Sequence, residues 1–264
     1  MKEAKKMPFL DCGGTRLYYE SEGNGPAIIF IHPPLITSRV FHYQMEDLKH
    51  RYQLILFDVR GHGFSGPSRQ PVTYPLIIQD LCCLMDHLQI EKAYLAGYST
   101  GGSVALNALH RHPERFLGGI LISALSEISD PVIQAELELA VALCNRTGFP
   151  LLSRSFCLAN ADSLKMYAYL HAAARMGNPE NIKQYFQYSR TFNGTRLLPS
   201  IQAPVLVFSG TRNDRFRKYT EVLTKNLPNS THFPLNHKPH HLTTRAARQL
   251  NQAIRAWLAL YETD

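Results

Sequence analysis

The sequence predicts an α/β fold, with a mostly parallel sheet that is covered by helices on both faces. The first observation is that short apolar runs alternate with stretches of helical spacing along residues 27–123 and again from residue 203 onward. The second is that this alternation stops between residues 127 and 196, where helical patterns follow one another without a strand. We therefore predict a core built from residues 1–126 and 197–264, with residues 127–196 inserted as a helical lid.

The elements of the first part of the chain follow from local patterns. A continuous apolar run at residues 27–31 suits a strand that is buried on both faces. Gly13 and Gly14 mark a tight turn between two short antiparallel strands in residues 9–20. The other elements expected here are a helix at 39–49, a buried strand at 52–57 and a helix at 74–88.

The remaining elements continue this pattern and then interrupt it. Residues 93–112 combine a short apolar run, a glycine-bracketed serine and a helical pattern, which ends at Pro113 because proline lacks an N–H group. Next come a strand at 118–123 and, within the insertion, helices that begin at 131, 162 and 178. Beyond the insertion we expect a strand at 203–210, a loop to 216, a helix to 226, a connecting stretch at 227–234 and an amphipathic helix at 241–261.

Composition indicates a globular protein without a membrane span. The chain has 264 residues, of which 45% are hydrophobic and 19% charged, values that fit one α/β domain with an insertion. No segment reaches the roughly 18 uninterrupted apolar residues that a membrane helix needs, and the polar start lacks the apolar stretch of a signal peptide. We therefore expect a cytoplasmic protein that does not bind membranes.

The net charge of +7 does not indicate a nucleic-acid partner. Lysine and arginine are scattered, and no basic stripe interleaved with aromatic residues is present, so a solvated basic surface is favoured. Lys2, Lys5 and Lys6 form only a basic tail. The five cysteines are odd in number and lack the paired spacing of a zinc site, so we expect reduced, mostly buried thiols, no metal and no cofactor.

The serine at the centre of residues 93–112 has the surroundings of a nucleophile. It lies in the motif G-x-S-x-G, from Gly97 through Ser99 to Gly101, where the glycines are a steric requirement of a sharp strand-to-helix turn. Gly102 and Ser103 let the following helix lie close to the sheet, so that its first N–H groups face charge developing beside the serine. We therefore predict Ser99 as a catalytic nucleophile.

A nucleophilic serine needs an imidazole that takes its proton and a carboxylate that orients the imidazole. The chain supplies Ser99, Asp214 and His232 in this order, on loops after predicted strands or in the last connection before the final helix. Because such loops meet at one edge of a parallel sheet, we expect the three side chains to come together.

With these residues the sequence resembles the α/β-hydrolase fold family, and in particular its small lidded members that cleave esters, lactones and related acyl bonds. The resemblance runs from Phe9 to Leu260 and implies Ser99 as nucleophile, His232 as base and Asp214 as the orienting acid. A serine rather than an aspartate in the turn disfavours relatives that hydrolyse halides or epoxides. The matching segments are the strand ending in His32, residues 58–65, the serine turn, the strand beginning at Ala203, and the His232-Phe233-Pro234 segment with Pro239 beyond it.

Two departures from the family pattern concern the acid and the base. Relatives place the acid three residues after the glycine that ends the strand, but Asn213 stands there and Asp214 follows it, which leaves Glu127 and Asp130 as alternative acids. The second departure is His237, where relatives often carry glutamate. We interpret His237, together with His240 and His241, as a solvated turn and helix start.

The third departure concerns the oxyanion hole, the pair of N–H donors that receives negative charge on the substrate oxygen. Relatives often read His-Gly-x after the first buried strand and use the N–H of x, but this chain has Pro34 there, and proline has no N–H. We expect Leu35 and Thr100 to form the hole. The alternative is a hole with Thr100 alone, which would cost about 3 kcal/mol of transition-state stabilisation.

The predicted function is a carboxylesterase-like serine hydrolase that cleaves a small, largely apolar ester or lactone through an acyl-enzyme on Ser99. Its partner is a small-molecule substrate, and no feature of the sequence specifies an oligomeric state. Enzymes that use the same triad to cleave a carbon–carbon bond or a short peptide remain open. A ligand receptor or signalling partner with slow turnover also remains open, and Pro34 is the feature that favours it.

Overall fold

The structure, a computed structural model, describes residues 8–212 and 214–261. The predicted basic tail and Asn213 lie outside these ranges. Among the described residues, eight strands form one sheet in the order β1-β2-β4-β3-β5-β6-β7-β8. The strands are β1 (Phe9–Cys12), β2 (Thr15–Glu22), β3 (Ala27–Ile31), β4 (Gln53–Phe57), β5 (Ala93–Tyr98), β6 (Phe116–Ile122), β7 (Val205–Gly210) and β8 (Ser230–Leu235).

The sheet is parallel except at its first edge. β2 pairs antiparallel with β1 and β4, whereas all neighbours from β4 to β8 pair in parallel. Every residue of β3 is buried, as its continuous apolar run predicts. The predicted mostly parallel α/β sheet is therefore confirmed, and the two short antiparallel strands lie at its edge.

Helices cover both faces of the sheet. The helices are α1 (His42–Leu48), α2 (Tyr74–His87), α3 (Thr100–Arg111), α4 (Pro131–Leu143), α5 (Phe149–Asn160), α6 (Leu164–Ala174), α7 (Pro179–Thr191), α8 (Arg217–Asn226), α9 (Leu242–Arg245) and α10 (Ala247–Leu258). Alternate residues of a strand point to opposite faces. Ile29 accordingly joins the core that includes residues of α2, α3 and α8, whereas Ile28 and Phe30 join the core that includes α1 and α10.

Four helices, α4 to α7, occupy the insertion between β6 and β7. Three of them begin at or near predicted starts, while α5 is an additional helix that the sequence pattern did not separate from its neighbours. An isolated antiparallel bridge between Glu127 and Asn193 joins the two ends of the insertion. The helices pack on the core at several places: Tyr185 joins one core cluster, Met166 and Leu170 join the other, and Leu35 forms a buried cluster with Phe149, Leu152 and Phe186.

The end of the chain differs from the prediction. Residues 227–234 were expected to be a connecting stretch, but residues 230–235 form β8, which pairs with β7 so that His232 lies opposite Val207. As an edge strand β8 is largely exposed, so its sequence lacks the apolar pattern of the inner strands. The predicted helix 241–261 is divided into α9 and α10 at Ala246, whose φ of −141° is not helical.

The expected cysteine chemistry is wrong for one pair. Cys12 and Cys83 form a disulfide that joins β1 to α2, although 71 positions separate them in the sequence. Their spacing carries no signal because the bond depends on how the first strand docks against the helix. Cys82, Cys144 and Cys157 are free, and the last two are buried as expected. No helix within residues 8–212 and 214–261 is long and apolar enough to cross a membrane.

Candidate active site

Ser99 lies on a strained turn between β5 and α3. Its φ of 53° and ψ of −122° are unusual for any residue except glycine. A Cβ atom at Gly101 would lie 2.2 Å from the carbonyl oxygen of Ile31, and one at Gly102 would lie 2.3 Å from Cβ of Ala124. Glycine is therefore required at both positions, because the start of α3 lies directly against β3 and against the segment that follows β6.

His240 is the histidine that the structure places beside this serine. Its Nε2 atom lies 3.1 Å from Oγ of Ser99, within hydrogen-bond distance. The aromatic ring of Phe216 stacks on the imidazole with a centroid separation of 4.0 Å, and Tyr98 and His241 border it at 5.7 Å each. Burial lowers the pKa of His240 below its usual 6.5, and the neighbouring His241 lowers it further, so the ring is neutral and able to accept a proton.

The predicted partner of Ser99 is therefore corrected from His232 to His240. His232 is an exposed residue within β8, where its Nε2 atom lies 2.8 Å from Oγ of Ser209. The physical reason is the length and register of β8, which continues to Leu235 and therefore includes His232. A histidine that contacts Ser99 must lie beyond the carboxyl end of this last strand. Recognising residues 230–235 as a strand would have excluded His232 and left the histidines after it.

The structure does not bring Asp214 to the histidine. Asp214 is exposed at the start of a short 3-10 helix, and no hydrogen bond or ion pair among the described residues joins it to His240. The two alternative acids have other partners: Glu127 accepts hydrogen bonds from Asn193 and Thr195, and Asp130 accepts them from the first N–H groups of α4. The Nδ1 atom of His240 has no hydrogen-bond partner among the described residues.

The predicted oxyanion donors lie on two segments near the serine. Thr100 is the first residue of α3, so its N–H has no acceptor within the helix. Leu35 is fully buried and has a φ of 73°, an uncommon conformation for a leucine. Pro33 and Pro34 border the same cavity as Ser99. The loop therefore holds a leucine in an uncommon backbone conformation directly after two prolines.

A cavity of about 670 Å³ opens in front of Ser99. Its walls come mainly from apolar side chains of the inserted helices, with Glu136 as the acidic residue among the described ones. The apolar residues of the walls include Ile133, Leu137, Leu139, Ala140, Leu143, Leu151, Leu152 and Phe156. Tyr98 fixes one side by donating a hydrogen bond to Asn160 at the end of α5. The cavity is of the size that small organic ligands use.

Two buried histidines and an aspartate hold the loops behind the site. His32 Nε2 accepts the N–H of Val59, and the rings of His32 and His62 lie 5.2 Å apart. Burial lowers the pKa of His32 to about 4 and that of His62 to about 3. Asp58 accepts three hydrogen bonds, from the N–H and hydroxyl of Ser38 and from the N–H of Phe64. These bonds fix the segments that follow β3 and β4.

Known proteins match most of this chain. The sequence profile of the alpha/beta hydrolase fold family matches residues 26–242. A putative carbamate hydrolase, RutD, from Caulobacter sp. is 28% identical over 259 residues, which cover 92% of this chain and 96% of that protein. The serine hydrolase BPHL of Mus musculus is 25% identical over 254 residues, 93% of this chain and 84% of that protein.

A solved structure shows the same architecture over nearly the whole chain. The enol-lactonase from Burkholderia xenovorans superposes with a TM-score of 0.85 at 20% sequence identity, covering 96% of this chain and 100% of that one. At this identity the likeness shows a shared fold. The family match over residues 26–242 shows that the chain belongs to the α/β-hydrolase fold family.

Proposed function

We propose that this protein is a serine hydrolase that cleaves a small, largely apolar ester or lactone, with Ser99 as nucleophile and His240 as general base. The observation that carries the proposal is the 3.1 Å separation of Ser99 Oγ and His240 Nε2 at the base of an apolar cavity. A hydroxyl is a weak nucleophile unless an adjacent base takes its proton, and this pair provides such a base.

The reaction follows from the positions of these two side chains. Oγ of Ser99 attacks the substrate carbonyl carbon while its proton moves to Nε2 of His240. The imidazolium then protonates the leaving oxygen, the carbon–oxygen bond breaks, and an acyl-enzyme remains on Ser99. A water molecule, deprotonated by the same nitrogen, attacks the acyl carbon and releases the acid and the free serine.

The negative charge on the tetrahedral intermediate needs donors that are fixed in advance. The N–H of Thr100 lies at the start of α3, where the helix dipole also favours an anion. Leu35 is the nearest residue after the two prolines that has an N–H, so we propose it as the second donor. Two such donors are worth more than one by about 3 kcal/mol of transition-state stabilisation.

The substrate class follows from the cavity walls. Apolar side chains from α4 and α5 favour an aliphatic or aromatic acyl group, and we propose that residues 127–196 act as a lid that sets its length. Two similar proteins, a putative carbamate hydrolase and an enol-lactonase, are named for acyl compounds that the same serine chemistry would cleave. Each extra methylene that the cavity buries contributes about 0.8 kcal/mol, or roughly fourfold in kcat/KM.

A panel of p-nitrophenyl esters from acetate to dodecanoate tests this proposal. We expect kcat/KM to rise with acyl length until the chain outgrows the cavity. Leu139 borders the cavity and is 60% exposed, so Leu139→Glu should fold and selectively slow the longer esters. Leu164 is an exposed leucine of α6 outside the cavity, and Leu164→Glu is the matched control. Equal rates for all lengths in both variants would contradict an acyl site beneath α4 and α5.

A receptor or signalling partner with slow turnover is the second candidate. The observation that favours it is that Nδ1 of His240 has no carboxylate partner among the described residues, in addition to Pro34 at a donor position. A stoichiometric burst of product followed by negligible steady-state turnover would identify the receptor. Sustained turnover of the preferred ester would identify the enzyme.

The aminopeptidase alternative is less well supported. Such an enzyme needs a free carboxylate to hold the ammonium group of its substrate, and Glu136 already lies 3.8 Å from Arg215. Carbon–carbon bond cleavage would use the same serine and histidine and is distinguished only by substrate. A cytoplasmic location stays a prediction, and the disulfide between Cys12 and Cys83 is a bond more typical of oxidising compartments.

A further inference from the structure

The imidazole of His240 has a second nitrogen that faces away from the serine. Nδ1 is buried and has no hydrogen-bond partner among the described residues. When Nε2 accepts the serine proton, Nδ1 must carry a hydrogen, which then needs an acceptor. The Oγ atom of Ser123 is also buried without a partner in the described part of the chain, and this residue is only 7% exposed. A buried polar atom without a hydrogen-bond partner is costly, so each of these two atoms calls for a partner.

Both atoms belong to residues that line one small cavity behind the ring. The cavity measures about 10 Å³ and is lined by Ser123, Ala124, Ser209, Gly210, Phe216, Thr220 and His240. A volume of roughly this size holds one water molecule and is too small for a carboxylate ion. The other hydroxyls have partners, because Ser209 Oγ lies 2.8 Å from His232 and Thr220 Oγ1 donates to the carbonyl of Phe216.

We propose that Ser123 is a positioning residue whose hydroxyl, through one bridging water molecule, holds the Nδ1–H of His240 where a triad carboxylate would otherwise act. The water accepts the hydrogen bond from Nδ1–H and donates one to Oγ of Ser123. This arrangement keeps Nε2 free to take the proton of Ser99. The inference rests on the proposed roles of Ser99 and His240.

The proposal explains how the pair can work without a carboxylate, and it predicts a lower kcat than a carboxylate in that place would give. A water molecule fixes the tautomer and the orientation of the ring, but it carries no charge to stabilise the imidazolium that forms during attack. The titratable side chains around the ring are Ser99, Tyr98 and His241, and none of them supplies a negative charge at neutral pH.

Ser123 is also well placed for a replacement that tests its role. It follows β6 with a φ of 48°, a conformation that aspartate and asparagine tolerate better than most residues, and its N–H donates to the carbonyl of Phe208. An aspartate there would fill the space of the hydroxyl and the water with one carboxylate group. It would place a negative charge beside the imidazole.

The experiment measures kcat, KM and the pH profile of kcat/KM for variants of Ser123 with the preferred ester. We expect Ser123→Asp to raise kcat roughly tenfold or more and to move the acidic limb of the profile to higher pH, because a nearby anion raises the pKa of His240. Ser123→Ala should lower kcat several-fold at unchanged KM. Ser126 follows the same strand and bonds to Thr195, so Ser126→Ala is the matched control and should change neither quantity.

A second measurement does not depend on turnover. In the wild-type protein, proton NMR should show a slowly exchanging Nδ1–H signal of His240 that disappears in Ser123→Ala. Unchanged pH profiles in Ser123→Asp, together with a signal that persists in Ser123→Ala, would overturn the inference. A loss of 10³-fold or more in kcat in Asp214→Asn would also overturn it, because the carboxylate of Asp214 would then orient the imidazole of His240. Failure of Ser99 to react with a fluorophosphonate in the wild type would instead overturn the proposed function.

Discussion

The ring of Phe216 stacks on the imidazole of His240 at a centroid distance of 4.0 Å and an interplanar angle of 28°. Phe216 ends the short 3-10 helix that Asp214 begins, so an aromatic side chain rather than a carboxylate of this segment contacts the histidine. The stacked ring excludes water from one face of the imidazole. Its removal should therefore change both the geometry and the acidity of the base.

We expect Phe216→Ala to lower kcat about tenfold or more, because the imidazole would no longer be held against Ser99. Water entering beside the ring should also raise the pKa of His240, so the acidic limb of kcat/KM should move from well below pH 6.5 toward it. Phe233 is 42% exposed on β8 and provides the control Phe233→Ala. A pH profile identical in the two variants would contradict a role for the stacked ring.

The strain at Ser99 predicts a conflict between stability and activity. Glycine adopts positive φ without a Cβ penalty, so Ser99→Gly should be more stable than Ser99→Ala by about 1 kcal/mol or more. Both variants should lack esterase activity. Urea unfolding of the two proteins measures the difference, and equal midpoints would show that the turn is not strained at this residue.

The disulfide between Cys12 and Cys83 should stabilise the edge of the sheet. Cys12→Ser is expected to lower the free energy of unfolding by about 2–4 kcal/mol, because the bond limits the conformations of the unfolded chain. Cys82 is a free thiol adjacent to the bonded Cys83, so Cys82→Ser serves as the control and should have a much smaller effect. Alkylation of the unfolded, unreduced protein should label three cysteines, and labelling of all five would contradict the bond.

The buried histidines behind the site predict a loss of stability in mild acid. The folded pKa values of His32 and His62 are lowered to about 4 and about 3, so below pH 6.5 the unfolded chain binds more protons than the folded one. The stability that these two neutral histidines contribute is therefore fully present well above pH 6.5 and is lost as the pH falls toward 4. Each histidine should lower the free energy of unfolding by about 2 kcal/mol between pH 7.5 and pH 5.

Burial of Asp58 and Asp80 raises their pKa values and opposes this trend at lower pH. The midpoints of urea unfolding at pH 7.5 and pH 5.0 measure the net effect of the histidines and the aspartates on stability. His62→Gln removes one titrating group, so the difference between the two midpoints should shrink in this variant. A difference as large as in the wild type would show that other groups cause the acid sensitivity.

The sequence predicted the inner sheet and the serine turn because both are determined locally. Residues 27–31 form β3 as expected, since a strand buried on both faces needs an unbroken apolar run. Ser99 was found because a turn this sharp requires glycines at fixed positions around it. β8 was missed because an exposed edge strand needs no such run, and its residues are mostly polar or exposed.

The histidine could not be predicted from its neighbours in the chain. His240 lies 141 positions after Ser99, and the strand register that excludes His232 depends on how β8 pairs with β7. The three histidines after β8 were interpreted as a solvated turn and helix start because most of the twelve histidines of the chain were expected to be surface or structural residues. The contact of Phe216 with His240 is likewise a result of tertiary packing, which no local spacing encodes.

The central claim is that Ser99 is activated by His240. Mass spectrometry of the rate at which a fluorophosphonate labels Ser99 tests this claim most directly, in the wild type, His240→Ala and His232→Ala. We expect the wild type and His232→Ala to be labelled at equal rates and His240→Ala to be slower by several orders of magnitude, because its serine would lack a base. Loss of labelling in His232→Ala with normal labelling in His240→Ala would contradict the account.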